Sequence, residues 1–198
     1  MKLALFGYGG HAREVAAQMG KNINVTFFVD DNYAKGIARP ISEFNPKKYL
    51  MMVAVADSKD REEIVSKLPS ETEYFTFIHP TSLIMSDDVI IGEGSFIGAN
   101  CILTTNIRIG NHAILNRGNH IGHDCIIGNY FSAMPGAIVS GNVHIGNGVY
   151  LGTNSSVIEK KYLLHDIKIG ANSVVIGDIN KSGTYVGTPA KITKNDHR

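Results

Sequence analysis

The sequence predicts a chain in two parts: a small α/β unit with a parallel sheet over residues 1–79, then a parallel β-helix over residues 80–198. Three observations predict it. Short apolar runs alternate with helical patterns before residue 80. A six-residue period replaces them afterwards. Twenty-one glycines and no tryptophan among 198 residues mark a fold with crowded backbone.

The first part is justified element by element. Leu3 to Tyr8 is a short apolar strand, and a glycine turn feeds a helix from about His11 to Met19. Val25 to Val29 is a second strand, ending at Asp30-Asp31, and Met51 to Ala56 a third. Asp57 and Ser58 have the side chains of helix caps, with Asp60, Glu62 and Glu63 in the first turn behind them. Ile64, Val65 and Leu68 give that helix one apolar stripe, and Pro69 stops it. Tyr74 to Ile78 reads as a fourth strand. Strands separated by helices of this length imply parallel pairing.

The second part rests on arithmetic. Every sixth position from Ile91 to Val175 is apolar, fifteen in succession. At 43% apolar content, chance gives this about three times in a million for a fixed register. Such a repeat marks a parallel β-helix, three hexads to a triangular coil. Slots eighteen apart then stack into three interior columns, headed by Ile91, Ile97 and Leu103. Four places after the slot stands a second, smaller inward position, occupied by Cys101, Ala113, Cys125 and Ala137 among others. Lys161 falls in such a position, so the coil around 157–168 is expected to bulge or loop out.

Composition excludes several classes. Nineteen basic against 18 acidic side chains leave a formal net charge of +1, without the basic face that nucleic acid or an anionic membrane demands. No apolar run approaches the ~18–20 residues of a membrane span. Met1-Lys2 is followed by only a short apolar run, unlike a secretory signal, and two cysteines make no disulfide framework, so a cytoplasmic location is expected.

Two motifs carry chemistry. Gly7, Gly9 and Ala12 almost spell a dinucleotide fingerprint, with Asp30 some twenty residues on. An NAD site is one reading of it and an empty βα turn another; the ~78 residues available make a Rossmann-like half-domain, roughly one mononucleotide-binding half. Backbone amides at a helix N-terminus suit phosphate, and carboxylates accept from ribose hydroxyls or a base N–H. In the repeat, His123 stands at a non-core position between inward Ile121 and Cys125, with Asp124 beside it to fix the imidazole tautomer. His120 is a rival base. With His112 and His144 it also raises a zinc reading, because one β-helix class, the gamma carbonic anhydrases, holds zinc on histidines between subunits; that class has no nucleotide-type half-domain in front, and no metal is expected. A non-catalytic scaffold is a further alternative, since repeat prisms also serve as platforms.

Gly7-Tyr8-Gly9-Gly10-His11-Ala12-Arg13-Glu14-Val15, Asp30-Asp31, the hexads, Gly122-His123-Asp124-Cys125-Ile126-Ile127-Gly128 and Val186-Gly187-Thr188-Pro189-Ala190-Lys191 occur in that order. Together they resemble the left-handed β-helix nucleotide-amino-sugar N-acetyltransferases, the family of the bacillosamine-pathway enzyme and the sialic acid O-acetyltransferases. The resemblance implies a cytoplasmic homotrimer with active sites between subunits. Its expected reaction moves acetyl from acetyl-coenzyme A to the amine of a UDP- or dTDP-linked 4-amino-4,6-dideoxy sugar, for surface glycans such as the O-antigen of lipopolysaccharide. O-acetylation of a sialic-acid-type sugar is the alternative. His123 and Asp124 are the implied catalytic pair. Gly9, Gly10, His11, Asp30, Asp31, Ala56 and Asn116 are the implied substrate contacts. Ser132, Gly141 and Thr153 are implied along the pantetheine arm, with Gly187, Pro189 and Ala190 near the nucleotide end of the coenzyme. Relatives can carry a second histidine where this chain has Ser132, which departs from any two-histidine mechanism.

Overall fold

The computed structural model describes residues 1–193. Its first part is a four-stranded parallel sheet in the order β3-β2-β1-β4, with β1 Lys2–Phe6, β2 Val25–Val29, β3 Arg39–Pro40 and β4 Tyr49–Val53. Helix α1, Gly10–Met19, follows β1, and α2, Ser58–Lys67, follows β4. The Asp57 side chain caps α2 by accepting from the backbone N–H of Lys59 at 3.0 Å and Asp60 at 3.2 Å. Ile64 and Val65 of α2 pack with buried Leu68 against Phe6, Phe28, Met51 and Val53 on one side of the sheet.

The apolar run at residues 74–78 does not make one strand. Tyr74 bridges to Met51 at the sheet edge, whereas Phe77–Ile78 pairs with Phe96–Ile97. The chain leaves one sheet and starts the next within three residues. Two-residue β3 went unseen because it ends on Pro40, which has no N–H to signal a ladder and is tolerated only at an edge.

From there the chain winds into a left-handed parallel β-helix of three faces. Face one stacks the slots Ile91, Ile109, Ile127, Ile145 and Leu163. Face two stacks Ile97, Leu115, Ala133, Leu151 and Ile169, and face three Leu103, Ile121, Val139, Val157 and Val175. These are the three columns that the hexads define, and their side chains with Cys101, Ala113, Cys125, Ala137, Val143 and Val149 form one buried core. Glycine after the slot answers to close stacking: a Cβ on Gly128 would come within 2.7 Å of the Asn147 backbone nitrogen in the next coil.

The expected bulge or loop at 157–168 is absent. Tyr162–Leu163 pairs in register with His144–Ile145, and the Lys161 carbonyl accepts from the His144 N–H at 2.8 Å, so the backbone ladder runs on past the lysine. The period breaks later, where Ile179 bridges to Leu163 only sixteen residues before it.

The α/β unit docks on face two. Outward-pointing Phe96 and Ile114, with Met134 from the adjoining turn, pack against Leu5, Ala12, Val15, Met19 and Met52. At roughly 1.5–3 kcal/mol for each fully buried aliphatic or aromatic side chain, this apolar seam is a major source of docking stability.

Candidate active site

A triangular coil has three corners, and their contents decide what can meet. The corner between faces one and two carries His112 and Tyr130; that between faces two and three carries Asn116 and Arg117. Both flank the docked α/β unit. His123 and Asp124 stand on the third corner, between faces three and one, opposite the docked unit.

His123 Nδ1 lies 2.6 Å from Asp124 Oδ2, and both side chains are about half exposed, at 61% and 47%. A carboxylate only accepts, so Nδ1 is the donor of this pair, and in the neutral ring Nε2 is left as the acceptor. The ring lies over Gly141 of the next coil, where a Cβ would approach Nε2 to 2.5 Å. Asp124 is held below the usual carboxylate range by hydrogen bonds from Asn106 first and His123 second. Ile126 and Ile138 flank this edge on faces one and three and are 50% and 42% exposed. Cys125 is buried, and burial pushes its thiol up, away from the nucleophilic thiolate.

The second feature is a cleft of about 680 Å³ at the C-terminal ends of the sheet strands. Gly7, Tyr8 and Gly9 of the β1–α1 turn, Asp30 and Tyr33 after β2, Val55 after β4, and Asp60, Glu63 and Lys67 of α2 line it. Strand order reverses at β1, with β2 on one side and β4 on the other, and the crevice at such a switch point is where open α/β sheets take ligands. Of the expected substrate contacts, Gly9 and Asp30 line this cleft, and Gly10 opens α1 beside it. Asp31 instead accepts from the Ser42 N–H at 3.0 Å.

His11, Ala56 and Asn116 lie in the seam between the two parts. His11 stands 3.8 Å from Glu14, which also pairs with Arg117 and lies 3.5 Å from the Asn116 amide. Burial first, then the charges of Arg61 and Arg117, push the His11 imidazole down to about 4. Ser132 has no exposed surface; its hydroxyl donates to the Ala56 carbonyl at 2.8 Å and accepts from Arg61 at 2.9 Å, so no face is left for a coenzyme. Thr153 is exposed on the corner between faces two and three, away from His123 in the same chain. The turn at 187–190 closes the top of face three, where the Val174 carbonyl accepts from the Ala190 N–H at 2.8 Å. It lies four strand spacings from the His123 coil, roughly 19 Å along the axis.

Sequence reasoning missed Arg61. It is fully buried, and its guanidinium donates to the carbonyls of His112 and Tyr130 at 2.8 Å and of Val55 at 2.5 Å, besides Ser132. An arginine among charged residues in the first turns of a helix reads as solvent-facing. No sequence signal separates it from Lys59 or Glu62.

Family comparison matches residues 2–68 to the PglD N-terminal domain, and residues 88–119 and 118–153 to the hexapeptide repeat of succinyl-transferase. The chain thus joins a PglD N-terminal domain to a succinyl-transferase-type hexapeptide repeat, the build of an acyltransferase. Among solved structures it is similar to perosamine N-acetyltransferase from Caulobacter crescentus, solved with CoA and GDP-perosamine, at 26% identity and a TM-score of 0.86, covering 98% of this chain and 97% of that one. It is similar to the acetyltransferase domain of PglB from Neisseria gonorrhoeae at 27% identity and 0.85, covering 97% and 99%. WeeI from Acinetobacter baumannii gives 26% and 0.86, covering 98% and 100%. Comparison with curated proteins finds no match. No helix among the described residues is long and apolar enough to cross a membrane, and no three of their His, Cys, Asp or Glu side chains are grouped to hold a metal ion.

Proposed function

We propose that this acyltransferase moves acetyl from acetyl-coenzyme A to the amino group of a nucleotide-linked 4-amino-4,6-dideoxy sugar in the cytoplasm, for surface glycan synthesis. The observation that carries the reading is the His123–Asp124 pair, solvent-facing over Gly141, in a chain that also has a ligand-sized cleft at its sheet switch point. The Caulobacter neighbour, solved with CoA and GDP-perosamine, supports the substrate class. UDP and dTDP are the proposed carriers, and GDP belongs in the same trial.

The chain's residues divide the work. Backbone amides at the start of α1, beside Gly9, suit the diphosphate, while Asp30 accepts from ribose or base. The edge running from His123 past Gly141 to the 187–190 turn, flanked by Ile138, fits an extended coenzyme arm. His123 Nε2 takes the proton as the sugar amine attacks the thioester carbon. Asp124 Oδ2 holds Nδ1–H and stabilises the imidazolium, which then returns the proton to the departing thiolate. No covalent acyl-enzyme is required.

The geometry also argues for the homotrimer. The cleft belongs to a unit docked on face two, whereas His123 stands on the corner away from it. A site combining both is completed when one chain's His123 edge meets a neighbour's cleft. Exposed Ile90, Ile126 and Tyr162 on face one and Ile138 on face three suit that contact.

His123→Ala tests the reading. Turnover should fall at least a hundredfold, the low end of general-base contributions, with the assembly intact by light scattering. Near-normal turnover removes His123 from the mechanism.

A further inference from the structure

The corner bearing His123 repeats one turn position every eighteen residues: Asp88, Asn106, Asp124, Asn142 and Lys160. From Asn106 upward each has left-handed backbone, with φ of 51°, 60°, 59° and 57°. The lower three are joined side to side. Asp88 Oδ1 accepts from the Asn106 backbone N–H at 2.8 Å, and its Oδ2 from the Thr105 hydroxyl at 3.0 Å. Asn106 Nδ2 donates to Asp124 Oδ1 at 2.6 Å. Asp124 thus has both oxygens engaged, one by the coil below and one by His123.

The fold contains its own comparison. His165-Asp166 repeats the adjacent pair on another corner, with Asp166 at φ 55°. Eighteen residues below Asp166 stands Gly148, which has no side-chain donor. There the Nδ1 to Oδ2 distance is 3.1 Å, against 2.6 Å at His123. The two pairs differ in the residue beneath the aspartate and in the length of the His–Asp contact.

We propose that Asn106 is a positioning residue for acetyl transfer: anchored by Asp88, its amide fixes the Asp124 carboxylate plane so that Oδ2 stays on His123 Nδ1. A surface carboxylate held at one oxygen turns freely about its last torsion; held at both, it does not. The inference rests on His123 being the base, and it adds a residue that touches neither substrate nor coenzyme.

Asn106→Gly recreates the Gly148 arrangement and suits the left-handed φ at that site. The expected result is a fall in kcat of about tenfold, the scale of one hydrogen bond to a charged group. KM for both substrates and the melting temperature should stay unchanged. In an Asp124→Asn background the same substitution should add no further loss. Asn106→Asp, of equal volume, sets carboxylate against carboxylate and should lower kcat more than glycine does. Full kcat in Asn106→Gly, or an equal loss in the Asp124→Asn background, refutes the positioning role. Turnover retained in His123→Ala, measured alongside, is the separate failure of the base assignment.

Discussion

Replacing Arg61 with alanine removes a buried polar contact between α2 and the β-helix, and its cost can be worked from the structure. Four of its hydrogen bonds measure 2.9 Å or less, to the carbonyls of His112, Tyr130 and Val55 and to the Ser132 hydroxyl. At about 1 kcal/mol net for each, their loss amounts to ~4 kcal/mol, in the range for truncating one partner of a buried charged network. Burial already pushes the guanidinium down to about 10, yet it stays charged at neutral pH. The acceptors that it leaves are carbonyls of two separate parts, so docking is lost before either part unfolds. Urea denaturation followed by circular dichroism should show one cooperative transition in the parent and an early, separate one in Arg61→Ala. Arg61→Lys, with one charge but no planar fork, should recover only part of the loss. A single transition within about 1 kcal/mol of the parent would refute the reasoning.

Acid should weaken the fold through two histidines, His112 buried and His11 partly buried in the seam. Burial, with Arg61 and Arg117 nearby, takes His11 down to about 4, and burial, with Arg61, does the same to His112. Their folded values lie below the unfolded 6.5, so the unfolded chain binds protons first; stability is full above pH 6.5 and is lost progressively down to about pH 4. By linkage the loss at pH 5 is about 2 kcal/mol for each, and equal urea midpoints at pH 7 and pH 5 would contradict it. Gly141→Ala places a Cβ 2.5 Å from His123 Nε2, the free end of a side chain that can swing away. Stability should change by under about 1 kcal/mol while turnover falls more than tenfold, read by calorimetry and steady-state kinetics on one preparation.

The β-helix was legible because its rule is absolute: one apolar slot every six residues, and each column from Ile91, Ile97 and Leu103 stacks in the register that the spacing implies. Asp57 and Ser58 both read as caps of α2, and the structure gives that role to Asp57. What stayed hidden depends on which outward face meets the α/β unit. Phe96, Ile114 and Tyr150 on face two look no different in sequence from Ile90, Ile126 and Tyr162 on face one, yet the first set packs against α1 and β4 and the second is solvent-facing in the single chain. Ser132 shows the consequence. Its position suggested the coenzyme groove, whereas docking encloses it beneath Ala56 and Arg61. Asn106 was invisible for a similar reason, because eighteen residues separate it from the aspartate that it holds.

The most direct measurement is thiol release from acetyl-coenzyme A with a panel of UDP-, dTDP- and GDP-linked 4-amino sugars, using their hydroxyl counterparts and sialic acid as controls. The account predicts rapid release that depends on the amine and selects one sugar, and that His123→Ala abolishes. Release that proceeds equally with the hydroxyl controls, or none with any amine, would contradict it.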